Sequence, residues 1–284
     1  IMRGYNIVVG YHITYMPTSF SSMVMEGCID SGKCTQEGGV KYTNTTTFFC
    51  GAASVADSLA AIDTLVFQKH KLTMAQLLDA MDKNFEGCED IRQMLINDAP
   101  KFGNDIDYVD AFARKIVNYC ADYVQQPDHK DARGGQYCLS NLSETLHVTH
   151  GHSTGASADG RLAGTPLSDN ASPSMGVDVQ GPTAAMNSVA NMQQIHCHSG
   201  TLYNIRFDPK SISGKKGGEI MRNMIKTFVK KGGQHVQINV VDDKTLLDAQ
   251  IHPENHRNLV VRIAGYMAYF TELDKECQDN LIYR

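Results

Sequence analysis

The spacing of apolar positions divides the chain into a helical stretch, a long polar stretch, and a stretch where strands and helices alternate. Val55, Leu59, Ile62 and Val66, at steps of four, three and four, predict a helix that buries this face. A second helix is predicted from Thr73, where Thr-x-x-Gln to Gln76 reads as a capping box and Leu77, Met81 and Phe85 are the buried positions. Ile91, Met94 and Leu95 mark a third, short helix that stops before Pro100, because the residue ahead of a proline is pushed out of the α region. Ile106, Val109, Phe112, Ala113, Ile116 and Val117 mark a fourth. Ahead of these, residues 1–27 lack clean periodicity and predict only a strand at Ile7–Val9. The segment from Gly27 to Lys33, Gly38-Gly39 and the Thr/Asn run 43–47 read as loop.

From Gln125 to Asn191 the texture turns to Gly, Ser, Asp and Pro without the repetitive, highly charged character of disorder. A long loop region of this kind inside a compact domain is expected to be functional or structurally pinned. Tyr203, Ile205 and Phe207 then alternate with polar residues as in a half-buried strand, and a helix over 219–231 places Ile220, Met224 and Phe228 at steps of four before Gly232-Gly233. Val236, Ile238 and Val240 alternate with Gln237 and Asn239 and predict another strand. A short helix over 245–250 leads to a strand at 259–263, and a further helix start is expected at Thr271-Glu272-Leu273-Asp274. Strands alternating with helices indicate an α/β class.

Composition narrows the chemistry. The 284 residues are 42% hydrophobic and 20% charged, ordinary for a soluble globular chain. A net charge of −5 gives no basic footprint for nucleic acid or an anionic membrane, and no apolar run approaches the ~20 residues of a span. Small-molecule chemistry in the cytoplasm is the expectation. The eight cysteines contain no Cys-x-x-Cys pair, so most read as small buried hydrophobes. His147, His150 and His152, with His196 and His198, could be raised as metal ligands, but short histidine clusters in Gly/Ser loops more often contact solvent or backbone, and no metal is expected. The stretch 213–218 lacks the Gly-x-x-x-x-Gly-Lys-Ser/Thr order of a phosphate loop and reads as a solvated turn. The chain opens at Ile1 directly in interior-like material, which reads as a fragment or a partial gene.

Gly265, between the last predicted strand and the terminal helix, sits at a loop tip. Two readings are open for it. A glycine can serve a tight turn because it lacks Cβ. It can also lose a Cα hydrogen and become planar with no side chain in the way, sharing the unpaired electron between amide nitrogen and carbonyl.

Four separated patches favour the second reading. Gly27-Cys28-Ile29-Asp30 resembles the Gly-Cys-Val-Glu loop of the glycyl radical enzymes. Gly155-Ala156-Ser157-Ala158-Asp159-Gly160-Arg161, with Pro166-Leu167, Ser172-Pro173 and Gly181-Pro182-Thr183-Ala184, resembles their middle signature. Gly233 to Gln237 with Asn239 resembles the strand before the radical loop, and Arg262-Ile263-Ala264-Gly265-Tyr266 the loop itself. The resemblance implies an α/β fold, the C-terminal portion of a ten-stranded α/β barrel in which a cysteine loop and a glycine loop meet. It implies barrel and helical connector over 1–190 and a glycyl radical domain over 191–284. The half-barrel supplying much of the family's substrate pocket has no counterpart in these residues.

The same resemblance implies the chemistry. Gly265 stores the radical, the Cys28 thiol becomes a thiyl that takes hydrogen from a small substrate, and Asp30, where relatives carry Glu, deprotonates the adjacent hydroxyl as a leaving group departs. That placement assumes an extended loop, in which residues i and i+2 share a side. A single cysteine with an acid two residues on favours the dehydratase and carbon-heteroatom lyase branch; pyruvate formate-lyase (formate C-acetyltransferase) activity is the alternative, since that enzyme carries two adjacent cysteines. A truncated, non-catalytic chain or a replacement radical domain is the non-enzymatic alternative. The implied partner is an activating enzyme that uses S-adenosylmethionine and an iron-sulfur cluster to oxidise Gly265, so the chain itself binds no cofactor. Oxygen would destroy the radical, which implies an anaerobic setting. A homodimer is left open.

Overall fold

The computed structural model describes residues 2–263 and 265–283. By compactness the chain separates into two units, one of residues 1–48, 119–140 and 196–199, the other of 49–118, 141–195 and 200–284. They interleave along the sequence, because strands distant in sequence pair within each unit.

In the first unit, strands β1 (Asn44–Phe48) and β2 (Gln136–Ser140) pair in parallel, Asn44 opposite Gln136 and Phe48 opposite Ser140. The Thr-rich run expected to be loop is therefore a strand. β-Branched threonine fits a pleated, half-buried surface, and here Thr45 and Thr47 turn inward. Thr45 Oγ1 donates to Asp131 Oδ2 at 2.6 Å, and the Arg133 guanidinium pairs with the same oxygen at 2.7 Å. Burial alone would raise the Asp131 carboxyl, but the hydrogen bonds from Thr45, Arg133 and the Gly135 N–H outweigh it and hold it below its ordinary value. The expected strand at Ile7–Val9 is instead part of a helix, Met2–Tyr15. Three apolar residues in a row do not distinguish the two.

In the second unit the helix Ala52–Ala61 continues as a π-helical stretch, Ile62–Gln68. Its buried face is only in part the predicted one: Val66 is buried and Ile62 packs against the core, but before them Ala52, Ala53, Ala56, Asp57, Ala60 and Ala61 are buried, while Val55 and Leu59 are 44% and 37% exposed. The small side chains bring the helix backbone close to its neighbours. The Thr73 cap forms as expected, with the hydroxyl accepting from Gln76 N at 3.2 Å and the Gln76 amide oxygen accepting from Thr73 N at 2.9 Å. Behind it Leu77, Ala80, Phe85 and Leu95 join Leu65 in one apolar core. The helices Glu89–Asn97 and Asp107–Val124 match the third and fourth predicted ones. The Gly/Ser/Pro-rich stretch is pinned: the Arg161 guanidinium donates to the carbonyls of Leu162 at 2.9 Å and Thr165 at 2.7 Å. It also contains a helix, Pro182–Ala190, that its composition concealed.

Buried Asp57 accepts from Phe102 N at 2.6 Å and from Ser174 Oγ at 3.2 Å. Burial pushes its carboxyl up to about 7, against the attraction of the Lys101 ammonium. Between the ordinary 3.8 and about 7 the folded chain holds a proton that the unfolded chain has released, so this group's stabilisation is full below that range and is lost as pH rises through about 7. Asp57→Asn keeps the bond from Phe102 and does not titrate. Melting temperatures measured from pH 4 to 8 are expected to fall less with rising pH in Asp57→Asn than in the parent; parallel profiles would remove Asp57 as the source.

Strands β3 (Tyr203–Phe207) and β4 (Val236–Val240) pair in parallel across the helix Gly214–Lys230, a βαβ unit. The stretch 213–218, expected as a solvated turn, forms the start of that helix. Strands β5 (Val260–Ile263) and β6 (Tyr266–Tyr269) form an antiparallel hairpin. Val261 and Ile263 alternate inward onto Leu246, Ala249, Phe270, Leu281 and Ile282, drawn from the helices Asp243–Ile251 and Lys275–Ile282 and the turn between hairpin and terminal helix. Each large apolar side chain in this core contributes about 1.5–3 kcal/mol. The terminal helix starts one turn later than predicted, capped by Asp274, which accepts from Cys277 N at 2.9 Å. Among the described residues, no helix is long and apolar enough to cross a membrane.

Candidate active site

The β5–β6 hairpin places Gly265. Ile263 stands opposite Tyr266, leaving a two-residue connection that ends in Gly265; Ala264 of the predicted loop lies outside the described residues. Gly265 has φ +95°, a backbone conformation that disfavours any residue with a Cβ. Yet a methyl group placed there would meet no heavy atom within 4 Å. Crowding is therefore not what requires glycine at this tip.

The tip is fixed by side chains from β4. Gly265 N donates to Gln237 Oε1 at 2.8 Å. Two residues along and on the same face, Asn239 holds the backbone of Arg262 twice: its Nδ2 donates to Arg262 O at 3.0 Å and its Oδ1 accepts from Arg262 N at 2.9 Å. Both residues stood in the predicted strand as the polar half of an alternation, but the structure turns Gln237 inward, 3% exposed, while Val240 is 50% exposed. A polar residue facing a backbone edge looks, in sequence, like a polar residue facing water.

Next to β4, the face of β3 opens onto a buried polar cluster. Asn204 stands opposite Gln237 and donates through Nδ2 to Asp169 Oδ2 at 2.7 Å. Asp169 Oδ1 accepts from Ser143 Oγ at 2.6 Å and from Asn170 Nδ2 at 2.5 Å. His147 lies with Nδ1 3.0 Å from Ser143 Oγ and 3.3 Å from Asp169 Oδ1, and its Nε2 is 3.1 Å from Asn280 Nδ2 on the terminal helix. Asn204 also borders an open cavity of about 420 Å³. Ser172-Pro173 and Gly181-Pro182, singled out in the sequence, line that cavity together with Arg206.

The other histidines serve separate contacts: His150 Nδ1 lies 3.4 Å from Cys50 Sγ, and His152 Nε2 lies 2.9 Å from Glu276. Among the described residues, no three potential ligands gather into a metal site.

In the first unit, Cys28 begins a helical turn, Cys28–Ser31, instead of an extended loop. Gly27, at φ +96°, starts that turn where a Cβ would lie 2.8 Å from Gly39 O and 2.9 Å from Lys41 N. Cys28 is reduced and buried, and Asp30 is exposed. A helix advances ~100° per residue, so side chains two apart diverge by ~200°. The expected common side for Cys28 and Asp30 is thus not found, because the turn winds where extension was assumed.

A profile of pyruvate formate lyase-like proteins matches residues 1–151, and a glycine radical profile matches residues 167–271, with Gly265 inside it. The chain belongs to the pyruvate formate lyase-like glycyl radical enzymes. Among relatives in this family, trans-4-hydroxy-L-proline dehydratase of Clostridioides difficile is 38% identical over 283 residues, covering 100% of this chain and 36% of that protein. Isethionate sulfite-lyase of Nitratidesulfovibrio vulgaris is 40% identical over 272 residues, 95% of this chain and 32% of its own length. The glycerol-bound B12-independent glycerol dehydratase of Clostridium butyricum superposes with a TM-score of 0.94 at 39% identity, over 98% of this chain and 35% of that one. This member of the glycyl radical enzymes thus spans about 35% of the length of its relatives, and its mixed α/β fold agrees with the expected partial barrel. The match to the glycine radical profile implies a glycyl radical as the cofactor.

Proposed function

We propose that this chain is the radical-storing part of a glycyl radical lyase or dehydratase acting on a small polar substrate, with Gly265 as the stored radical. The observation that carries this reading is the combination at Gly265: a glycine-only backbone conformation, open space on the Cβ side, and an amide held by a buried side chain. An activating enzyme using S-adenosylmethionine and an iron-sulfur cluster removes one Cα hydrogen atom. The relatives named above are dehydratases and a sulfite-lyase, which supports elimination over the acetyl transfer of pyruvate formate-lyase itself.

In this reading Cys28 and Asp30 keep the roles that the family resemblance implies for them. Cys28, reduced and buried, is the thiol that takes hydrogen from the substrate, and Asp30 is the base. The test is anaerobic activation of the complete gene product, with radical read by EPR and turnover on hydroxyproline, isethionate and glycerol read separately. Wild type is expected to give a doublet and turn over a small polar substrate. Cys28→Ala and Asp30→Ala are expected to keep the doublet and lose turnover. A variant that turns over like the parent removes that residue from the chemistry.

A further inference from the structure

Two of the few buried polar atoms left without a hydrogen-bond partner among the described residues are Gln237 Nε2 and Asn204 Oδ1. One is a donor and the other an acceptor. They belong to residues directly opposite each other in the β3–β4 register, on one face of the sheet, and each residue is more than nine-tenths buried. An unpaired buried amide group is costly, so a matched pair of this kind on adjacent strands has a reason to exist. Asn204 also borders a second cavity of about 20 Å³, shared with Asp169, His147, Arg262 and Ile263, which is room for a single water.

At their other ends both side chains are committed. Gln237 Oε1 accepts from Gly265 N at 2.8 Å, and Asn204 Nδ2 donates to Asp169 Oδ2 at 2.7 Å. Joining the two unpaired groups, directly or through one water, gives a continuous path: Gly265 N–H to Gln237, Gln237 to Asn204, Asn204 to Asp169. Every link donates in the same direction, away from the glycine and toward the buried carboxyl group.

We propose that Gln237 is a positioning residue that stabilises the radical on Gly265, acting with Asn204 as a two-amide relay between the glycine nitrogen and Asp169. The inference rests on the reading of Gly265 as the radical residue. When Gly265 loses a Cα hydrogen atom, the unpaired electron spreads to the carbonyl oxygen while the amide nitrogen donates density and gains partial positive charge. An acceptor on that N–H favours this shift, and aligned amides polarise one another along a hydrogen-bonded chain. The hydrogen bond also fixes the peptide plane on the nitrogen side, where overlap with the Cα orbital is decided. Asn239, whose hydrogen bonds among the described residues both go to the Arg262 backbone, fixes the hairpin strand.

The experiment uses the complete gene product, activated anaerobically, and reads the amide nitrogen hyperfine coupling of the radical and its anaerobic decay. Gln237→Met removes the acceptor and is expected to change the coupling and shorten the half-life about fivefold, the factor one net hydrogen bond is worth. Gln237→Glu keeps an acceptor for Gly265 N–H and is expected to bring both toward the parent. Asn204→Ala leaves the first bond and cuts the relay, so its coupling moves in the same direction by less. A merely structural role would alter melting temperature without moving the nitrogen coupling. Parent-like coupling and half-life in Gln237→Met overturn the proposal. If that variant accepts no radical, Asn204→Ala decides by the same two readouts. Silence of the parent protein, beside an activatable control, removes the reading of Gly265 and this inference with it.

Discussion

Alanine in place of Gly265 is expected to abolish the EPR doublet completely while the chain stays folded. The argument separates the two uses of glycine. At φ +95° an alanine is strained by about 1–2 kcal/mol, but its methyl group meets no atom within 4 Å, so nothing need move to admit it. The hairpin keeps its core of Val261, Ile263, Phe270 and Leu281, and Asn239 keeps its grip on Arg262. Folding therefore survives with a drop in melting temperature of a few degrees. Radical storage does not survive, because a Cα that carries a methyl group cannot flatten between two peptide planes without pressing that group against the flanking backbone. Circular dichroism and EPR on the same activated sample check both halves. A doublet in the variant moves the radical to another residue; an unfolded variant means that the glycine was needed for the turn first.

What the sequence disclosed depended on how each residue's partner is reached. The Thr73 cap involves residues three apart, and it formed as read. The helix at Ala52–Ala61 exists as predicted, but Val55 and Leu59 lie outside and alanines inside, because helix periodicity locates a face and close packing then chooses the smaller residues. The hairpin strand at 260–263 and the glycine at its tip were legible from local pattern and family resemblance together. Gln237 was not, since its partner is a backbone N–H 28 residues away and its alternation with valine and isoleucine reads as a water-facing side. The extended loop assumed for Cys28 and Asp30 was not legible either way: spacing gives a common side only once the local conformation is known, and Gly27 and Gly32 bound a helical turn there. The Asp169 cluster gave no local signal at all. Its members, Ser143 with His147, Asn170 beside Asp169, Asn204 and Asn280, come from four places along the chain and meet only in the fold.

That cluster supports the second large effect. Asp169→Ala is expected to destabilise the second unit by about 3 kcal/mol or more, because it strands several donors in a buried site at once. Ser143 Oγ, Asn170 Nδ2 and Asn204 Nδ2 all direct a hydrogen at its carboxyl oxygens, and all three residues are buried. His147, which bridges from this group to Asn280 on the terminal helix, loses the neighbour 3.3 Å from its Nδ1. The helix that closes the core beneath the glycine hairpin is therefore loosened from one side while Leu281 and Ile282 still hold it from the other. Asp169→Asn is expected to cost less. One amide oxygen still accepts, and only the new NH₂ faces the donors that the second carboxylate oxygen received. Chemical denaturation of the parent and both variants measures the order, and hydrogen exchange of the 275–282 amides locates it. If Asp169→Ala unfolds at the parent's midpoint, the network is not what holds this corner, and the terminal helix rests on its apolar contacts alone.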